Sequence, residues 1–303
     1  MGILKSHINL ICDLEKQYSF FKNSKVISIS QQAVYSDLSE VTKIFKKNGF
    51  KFKKLNKDFD TKNKIKDWYN TKLDKNINAN TLFHLLGAKE TLTSDVSKYE
   101  NPDVVIDLNK KINKKFINKF DLVFDIGTLE HVFDTPTCLE NYLKMTKLNG
   151  FIFIAVPCSN MIDHSFYMFS PTLFFDFFET NGCKIVDSYF RLSSPYVYNQ
   201  KSIFYKYLKQ GHEIPLLREE AVEFIVLIKK TDLVKKIVKP IQYVYRKDPS
   251  WNLNTNNKIN NSKYKNPIKL FLNYILKSRL MPFFIHKYFY KYVRGKNIKK
   301  YYL

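Results

Sequence analysis

Short continuous apolar runs alternate along the chain with segments whose apolar positions recur at helical spacing. Val26, Ile27 and Ile29 in KVISISQ (25–31) predict a buried strand. In DLSEVTKIFKKNG (37–49), Leu38, Val41, Ile44 and Phe45 share one helix face and Gly49 ends it. A Lys- and Asn-rich stretch over 50–80, anchored by Trp68 and Tyr69, reads as an insertion, and ANTLFHLLGAKE (79–90) reads as a short helix. Strands follow at 90–95 (ETLTSD), 103–109 (DVVIDLN) and 120–127 (FDLVFDIG). Thr135-Pro136 supplies an N-cap and N1 pair for a helix closed by Gly150, and FIFIAVP (151–157) is a strand buried on both faces. A second helix (170–182) has Ser170 as cap, Pro171 at N1 and Gly182 at its end; strands at 183–190 and 223–230 complete the series.

Strands alternating with helices over about two hundred residues predict an α/β fold with a mostly parallel sheet covered on both faces. The last two strands lack a helix between them, which predicts an antiparallel finish. Residues 1–230 then form one domain. Residues 231–303 form an extension, helical over 266–293.

Charge changes the picture only for that extension. Residues 231–303 carry 17 Lys/Arg against Asp232 and Asp248, a net +15 out of +22 for the whole chain. A basic, aromatic tail suits an anionic membrane surface or, as the weaker reading, nucleic acid. An AT-rich coding sequence would also enrich Lys, Asn, Ile, Tyr and Phe. Cys12, Cys138, Cys158 and Cys183 are scattered without metal-type spacing. With charges early in MGILKSHINLICDLEK, they point to a cytoplasmic protein with reduced thiols. No G-x-S-x-G, P-loop or G-x-G-x-x-G pattern occurs, which disfavours a serine hydrolase, an ATPase and a nicotinamide dehydrogenase.

The candidate chemistry lies where strands end. Asp95, Asp107 and Asp125 fall at or near the carboxyl ends of three consecutive strands, where ligands bind in open α/β sheets. His131 and His164 are acid–base candidates because imidazole titrates near neutral pH, and Asp163 could orient His164. Phe166, Tyr167 and Phe169 could line a pocket beside it.

The block from FDLVFDIGTLEHVFDTP through LNGFIFIAVP to SPTLFFDFFETNGCKIV resembles a class I S-adenosylmethionine-dependent methyltransferase, and HSFYMFSPTLFFDFFE (164–179) is similar to a bacterial subgroup associated with surface-glycan biosynthesis. The resemblance spans roughly 24–230. It implies a Rossmann-like seven-stranded sheet with an antiparallel last strand, and S-adenosylmethionine as cofactor. It further implies Asp95 on the ribose hydroxyls, Asp107 near the adenine, and Asp125 with Gly127 near the methionine portion. The family's glycine-rich first turn is represented here by SISQQ: no glycine lies between Gly2 and Gly49, and Ser30 stands in the first glycine's place, followed by Gln31 and Gln32. Glu130-His131 resembles a metal-binding Glu-x-x-Glu-His stretch, but Gly127 replaces the first glutamate, so no metal is expected.

These observations predict methyl transfer to a hydroxyl or amine of a small-molecule or sugar acceptor, with the tail holding the enzyme at the inner membrane face. Two alternatives stay open: a methyltransferase fold that binds or scaffolds without catalysis, and a nucleic-acid methyltransferase using the basic tail.

Overall fold

The computed structural model describes residues 2–56, 60–61, 75–193, 202–207, 220–234, 236–246 and 298–301. Its strands are β1 (Gly2–Ile3), β2 (Lys25–Ile29), β3 (Ala33–Val34), β4 (Glu90–Asp95), β5 (Val104–Val105), β6 (Phe120–Ile126), β7 (Thr146–Ser159), β8 (Cys183–Ser193), β9 (Ile203–Tyr207), β10 (Ala221–Lys230) and β11 (Ile298–Tyr301). Its helices are α1 (Lys5–Tyr18), α2 (Leu38–Lys47), α3 (Ala79–Leu86), α4 (Thr135–Met145), α5 (Pro171–Thr180) and α6 (Tyr243–Arg246).

The main sheet runs β5-β4-β2-β6-β7-β10-β8, and β9 and β11 extend it beyond β8. Numbered along the chain, the first seven of these strands read 3-2-1-4-5-7-6. Pairings from β5 to β7 are parallel, whereas β10 runs antiparallel to both β7 and β8. This is the α/β, Rossmann-like arrangement expected, with its antiparallel finish. Strand order reverses between β2 and β6, so the crevice at their carboxyl ends is the topological switch point.

Period-two alternation divides the interior into two cores. Ile152, Ile154 and Val156 of β7 face one side with Leu139 and Tyr142 of α4 and Phe174 and Phe178 of α5. Phe153 and Ala155 face the other, with Leu10 and Ile11 of α1 and Phe83 of α3. The rings of Phe124 and Phe153 stack there at 4.8 Å across neighbouring strands. Strands buried on both sides read as unbroken apolar runs, and β7 and β10 do.

Several expectations are corrected. The strand expected at 103–109 is only Val104–Val105, and Asp107 lies past it in a turn. Asp134, not Thr135, caps α4: its carboxylate accepts from Thr137 N at 3.1 Å. That helix ends at Met145, and β7 already begins at Thr146, so Gly150 lies inside a strand. Ser170 precedes α5 without a side-chain cap bond. Helix α1 and strands β9 and β11 were not anticipated. Strand β11 belongs to the extension by sequence yet pairs with β9, and Tyr301 packs on Tyr189 at 5.1 Å. Most of the Lys- and Asn-rich stretch, including Trp68 and Tyr69, and the helical region 266–293 lie outside the described residues.

Candidate functional site

Two turns leave the sheet at the switch point. After β6, Asp125 is fully buried, and its carboxylate accepts from Thr128 N (2.9 Å), Leu129 N (3.1 Å) and Tyr142 OH (2.8 Å). Gly127 takes φ +83°, and its N–H donates to Ala155 O at 2.9 Å. Burial outweighs the three donors and pushes the Asp125 carboxyl up to about 6. With both oxygens engaged by the protein, Asp125 shapes this turn from within.

After β2, Ser30 adopts φ +60°, the left-handed conformation a glycine would otherwise supply. A polar network holds it there. The Gln32 amide donates to Ile29 O at 2.6 Å and Ser30 Oγ at 3.0 Å, while Thr128 Oγ1 lies 3.1 Å from Ile29 O and 3.0 Å from Ser30 Oγ. Gln32 is buried; Gln31 reaches the Glu100 and Asn101 carbonyls at 3.3 Å. Of the three residues expected to meet the cofactor, Ser30 and Gln31 are half-buried and Gln32 is buried.

Asp95 ends β4, half-buried, with one carboxylate oxygen accepting from Ser97 N at 3.0 Å. Asp107 pairs with Lys110 at 3.0 Å and accepts from Asn109 N; the lysine ammonium and then Asn109 hold its carboxyl below the usual range. Asp95 thus ends β4, and Asp107 lies in the turn beyond β5, the parallel strand beside it.

Across that edge, the one-turn helix Leu129–His131 and the loop 160–169 bring Glu130, His131 and His164 together, with a ligating atom of each within 4.8 Å of the others. The His131 and His164 rings stand 5.4 Å apart, edge to face. Glu130 is fully buried, and neither of its carboxylate oxygens has a hydrogen-bond partner. Burial and then the charge of Asp125 push the Glu130 carboxyl up to about 8. Burial also holds His164 below its usual range. Glu130 Oε1 lies 3.9 Å from His164 Nε2, so this glutamate, rather than the neighbouring Asp163, faces the ring. Of the expected pocket aromatics, Phe169 is core, whereas Phe166 is 65% exposed and meets the equally exposed Phe133 edge to face at 5.7 Å. Tyr167 OH ties the two loops by donating to Phe133 O.

A buried triad at the same edge escaped sequence reading. His7 Nδ1 accepts from Leu4 N at 3.1 Å, which fixes the neutral tautomer whose Nε2–H donates to Glu223 Oε2 at 2.7 Å. Arg191 Nε donates to the same oxygen at 2.7 Å. Burial alone would raise Glu223, but the Arg191 and His7 contacts outweigh it and hold the carboxyl at about 2. The triad pins the start of α1, and with it β1, over the sheet edge. Its sole trace in the sequence is a glutamate at the head of an apolar run.

No protein-family model matches the chain, and neither does any curated protein. Among solved structures, the chain is similar to the 1,6-didemethyltoxoflavin-N1-methyltransferase of Burkholderia thailandensis, which holds 1,6-didemethyltoxoflavin and S-adenosylhomocysteine. Identity is 11% over 75% of this chain and 78% of that one, with a TM-score of 0.36. It is also similar to the C9 mutein of the branched-chain polyamine synthase of Thermus thermophilus, in complex with N4-aminopropylspermidine and 5'-methylthioadenosine. There identity is 12% over 80% of this chain and 61% of that one, with a TM-score of 0.38. A third similar structure is an N-methyltransferase of Bradyrhizobium japonicum, at 10% identity over 73% of this chain and 96% of that one, with a TM-score of 0.37.

Proposed function

We propose that the protein transfers a methyl group from S-adenosylmethionine to a hydroxyl or amine of a small or glycan-precursor acceptor. The observation that carries this reading is the switch-point crevice, where Asp95, Asp107 and the Gly127 turn follow three parallel strands on one edge. A carboxylate such as Asp95 can accept from both hydroxyls of a ribose diol. The left-handed turns at Ser30 and Gly127 bring backbone, not bulk, to the space between them.

In the reaction the acceptor's lone pair forms the new bond to the methyl carbon as the carbon–sulfur bond breaks. The sulfonium becomes a neutral thioether, and the acceptor loses a proton. The protein's contribution is chiefly alignment for in-line attack. On this reading the imidazoles of His131 and His164 take up the acceptor's proton; their convergence with Glu130 on two loops supports it.

Calorimetric titration of the full chain with S-adenosylmethionine and S-adenosylhomocysteine tests the reading. Saturable binding, weakened at least about tenfold by Asp95→Ala, is the expected result; no heat at millimolar ligand overturns it. The basic extension suits an anionic surface at which lipid-linked sugars are assembled. No described helix is long and apolar enough to cross a membrane. Co-sedimentation with anionic vesicles that is lost at high salt is the expected outcome; equal recovery with neutral vesicles argues against it.

A further inference from the structure

We infer that Glu130, His131 and His164 form a binding site for one divalent first-row transition ion, of the zinc, manganese or cobalt class. Two imidazoles and one carboxylate converge from two loops, with a donor atom of each within 4.8 Å of the others. Convergence alone is common among polar side chains. The second observation is the state of Glu130: fully buried, with both oxygens lacking any hydrogen-bond partner, and with the similarly unpartnered Nε2 of His164 3.9 Å away. A buried carboxyl group with both oxygens unpartnered is costly unless a donor or a cation meets it.

The donor set sets the class of ion. Two histidines and a glutamate are a known set for catalytic zinc, which keeps a further position open; imidazole suits zinc better than calcium, and the carboxylate also admits manganese. Donor atoms around a tetrahedral zinc lie about 3.4 Å apart, so closing the Glu130–His164 pair requires a shift of about half an ångström. His131 is exposed and can swing toward them.

Reading the Glu-His pair from the sequence alone counted a missing ligand at Gly127. The fold supplies the third donor from the loop after β7 instead, through His164. His131 and His164 are flanked in sequence by Phe133 and Phe166, which are exposed and meet edge to face. An ion there would favour the acceptor's ionised form, its proton leaving to water, in place of direct proton transfer to an imidazole. Ion binding itself does not depend on the methyl-transfer reading.

Chelator-treated full-length protein, titrated with Zn²⁺, Mn²⁺ or Co²⁺ without S-adenosylmethionine, tests the site. One equivalent is expected, accompanied by a visible Co²⁺ absorption band. Binding should weaken at least about tenfold in Glu130→Gln and in His164→Asn and be unchanged in His84→Asn, on a distant helix. If Glu130→Gln does not fold by circular dichroism, the exposed His131→Asn decides in its place. Absence of saturable binding, or binding retained in the cluster variants, overturns the inference. Titration with S-adenosylmethionine in the presence of chelator reports separately on the methyl-transfer reading.

Discussion

The turns after β2 and β6 leave adjacent parallel strands at the same height, and both pass through the left-handed region, at φ +60° and +83°. The second does so with a glycine, which carries no steric penalty there. The first does so with Ser30, held by the Gln32 amide and the Thr128 hydroxyl. Thr128 belongs to the second turn, so the glycine-built loop also braces the glycine-free one. A left-handed turn can therefore be specified by a side-chain network, provided the neighbouring strand supplies part of it.

Substitutions can break this comparison, beginning where the most bonds converge. Asp125→Ala strands two backbone N–H groups and a buried tyrosine hydroxyl, and should lower unfolding free energy by about 3–5 kcal/mol in urea titrations. Because Asp125 also orders the segment carrying Thr128, the Ser30 turn should loosen with it, visible as faster amide exchange at residues 30–32.

Titration separates the turns next. The Ser30 network contains no ionisable group, whereas Asp125 is raised from 3.8 to about 6 when folded. A raised acid favours the folded state fully below its unfolded pKa, and that contribution is lost as pH climbs through the folded value. The stability of wild type relative to Asp125→Asn should therefore fall by about 2–3 kcal/mol between pH 4 and 6. A flat difference across that window would show that the three donors, not burial, govern this carboxyl.

Gly127→Ala forces a side chain into the left-handed region and should destabilise by about 1–2 kcal/mol, read by thermal melting. The smallest effects belong to Ser30. Ser30→Ala keeps the strain and removes the hydroxyl, for a loss of about 1 kcal/mol. In Ser30→Gly, relief of strain offsets the lost bonds, and stability should stay within about 0.5 kcal/mol of wild type. A large loss in Ser30→Gly would mean that the network, rather than the backbone angle, is what this turn needs.

Much of the scaffold was legible because its signals are local. The apolar runs of β2, β6 and β7 and the helical spacing of α2 each depend on residues close in sequence. Helix α1 was not legible because it buries His7 and Glu15, which interrupt its apolar stripe. Each is satisfied from outside the helix, His7 by Glu223 and Glu15 by the N–H groups of Phe21 and Lys22. Strands β9 and β11 were hidden for a related reason: they are short, edge-proximal, and recognised by their partners.

The candidate site divides along the same line. Asp95, Gly127 and the Glu130-His131 pair are visible in the sequence because strand ends and turns place them. That Asp125 faces inward follows from Tyr142, which approaches from the far side of the loop on α4. That Glu130 meets His164 depends on two loops tied through Tyr167 and Phe133. Sequence by itself determined the order of the strands and helices that alternate through the central sheet, and the strand ends at which candidate chemistry falls, since backbone periodicity and turn geometry are short-range. Tertiary structure alone decided which carboxylates are engaged by the protein and which remain unpartnered, because burial and hydrogen bonding depend on residues brought together from distant parts of the chain.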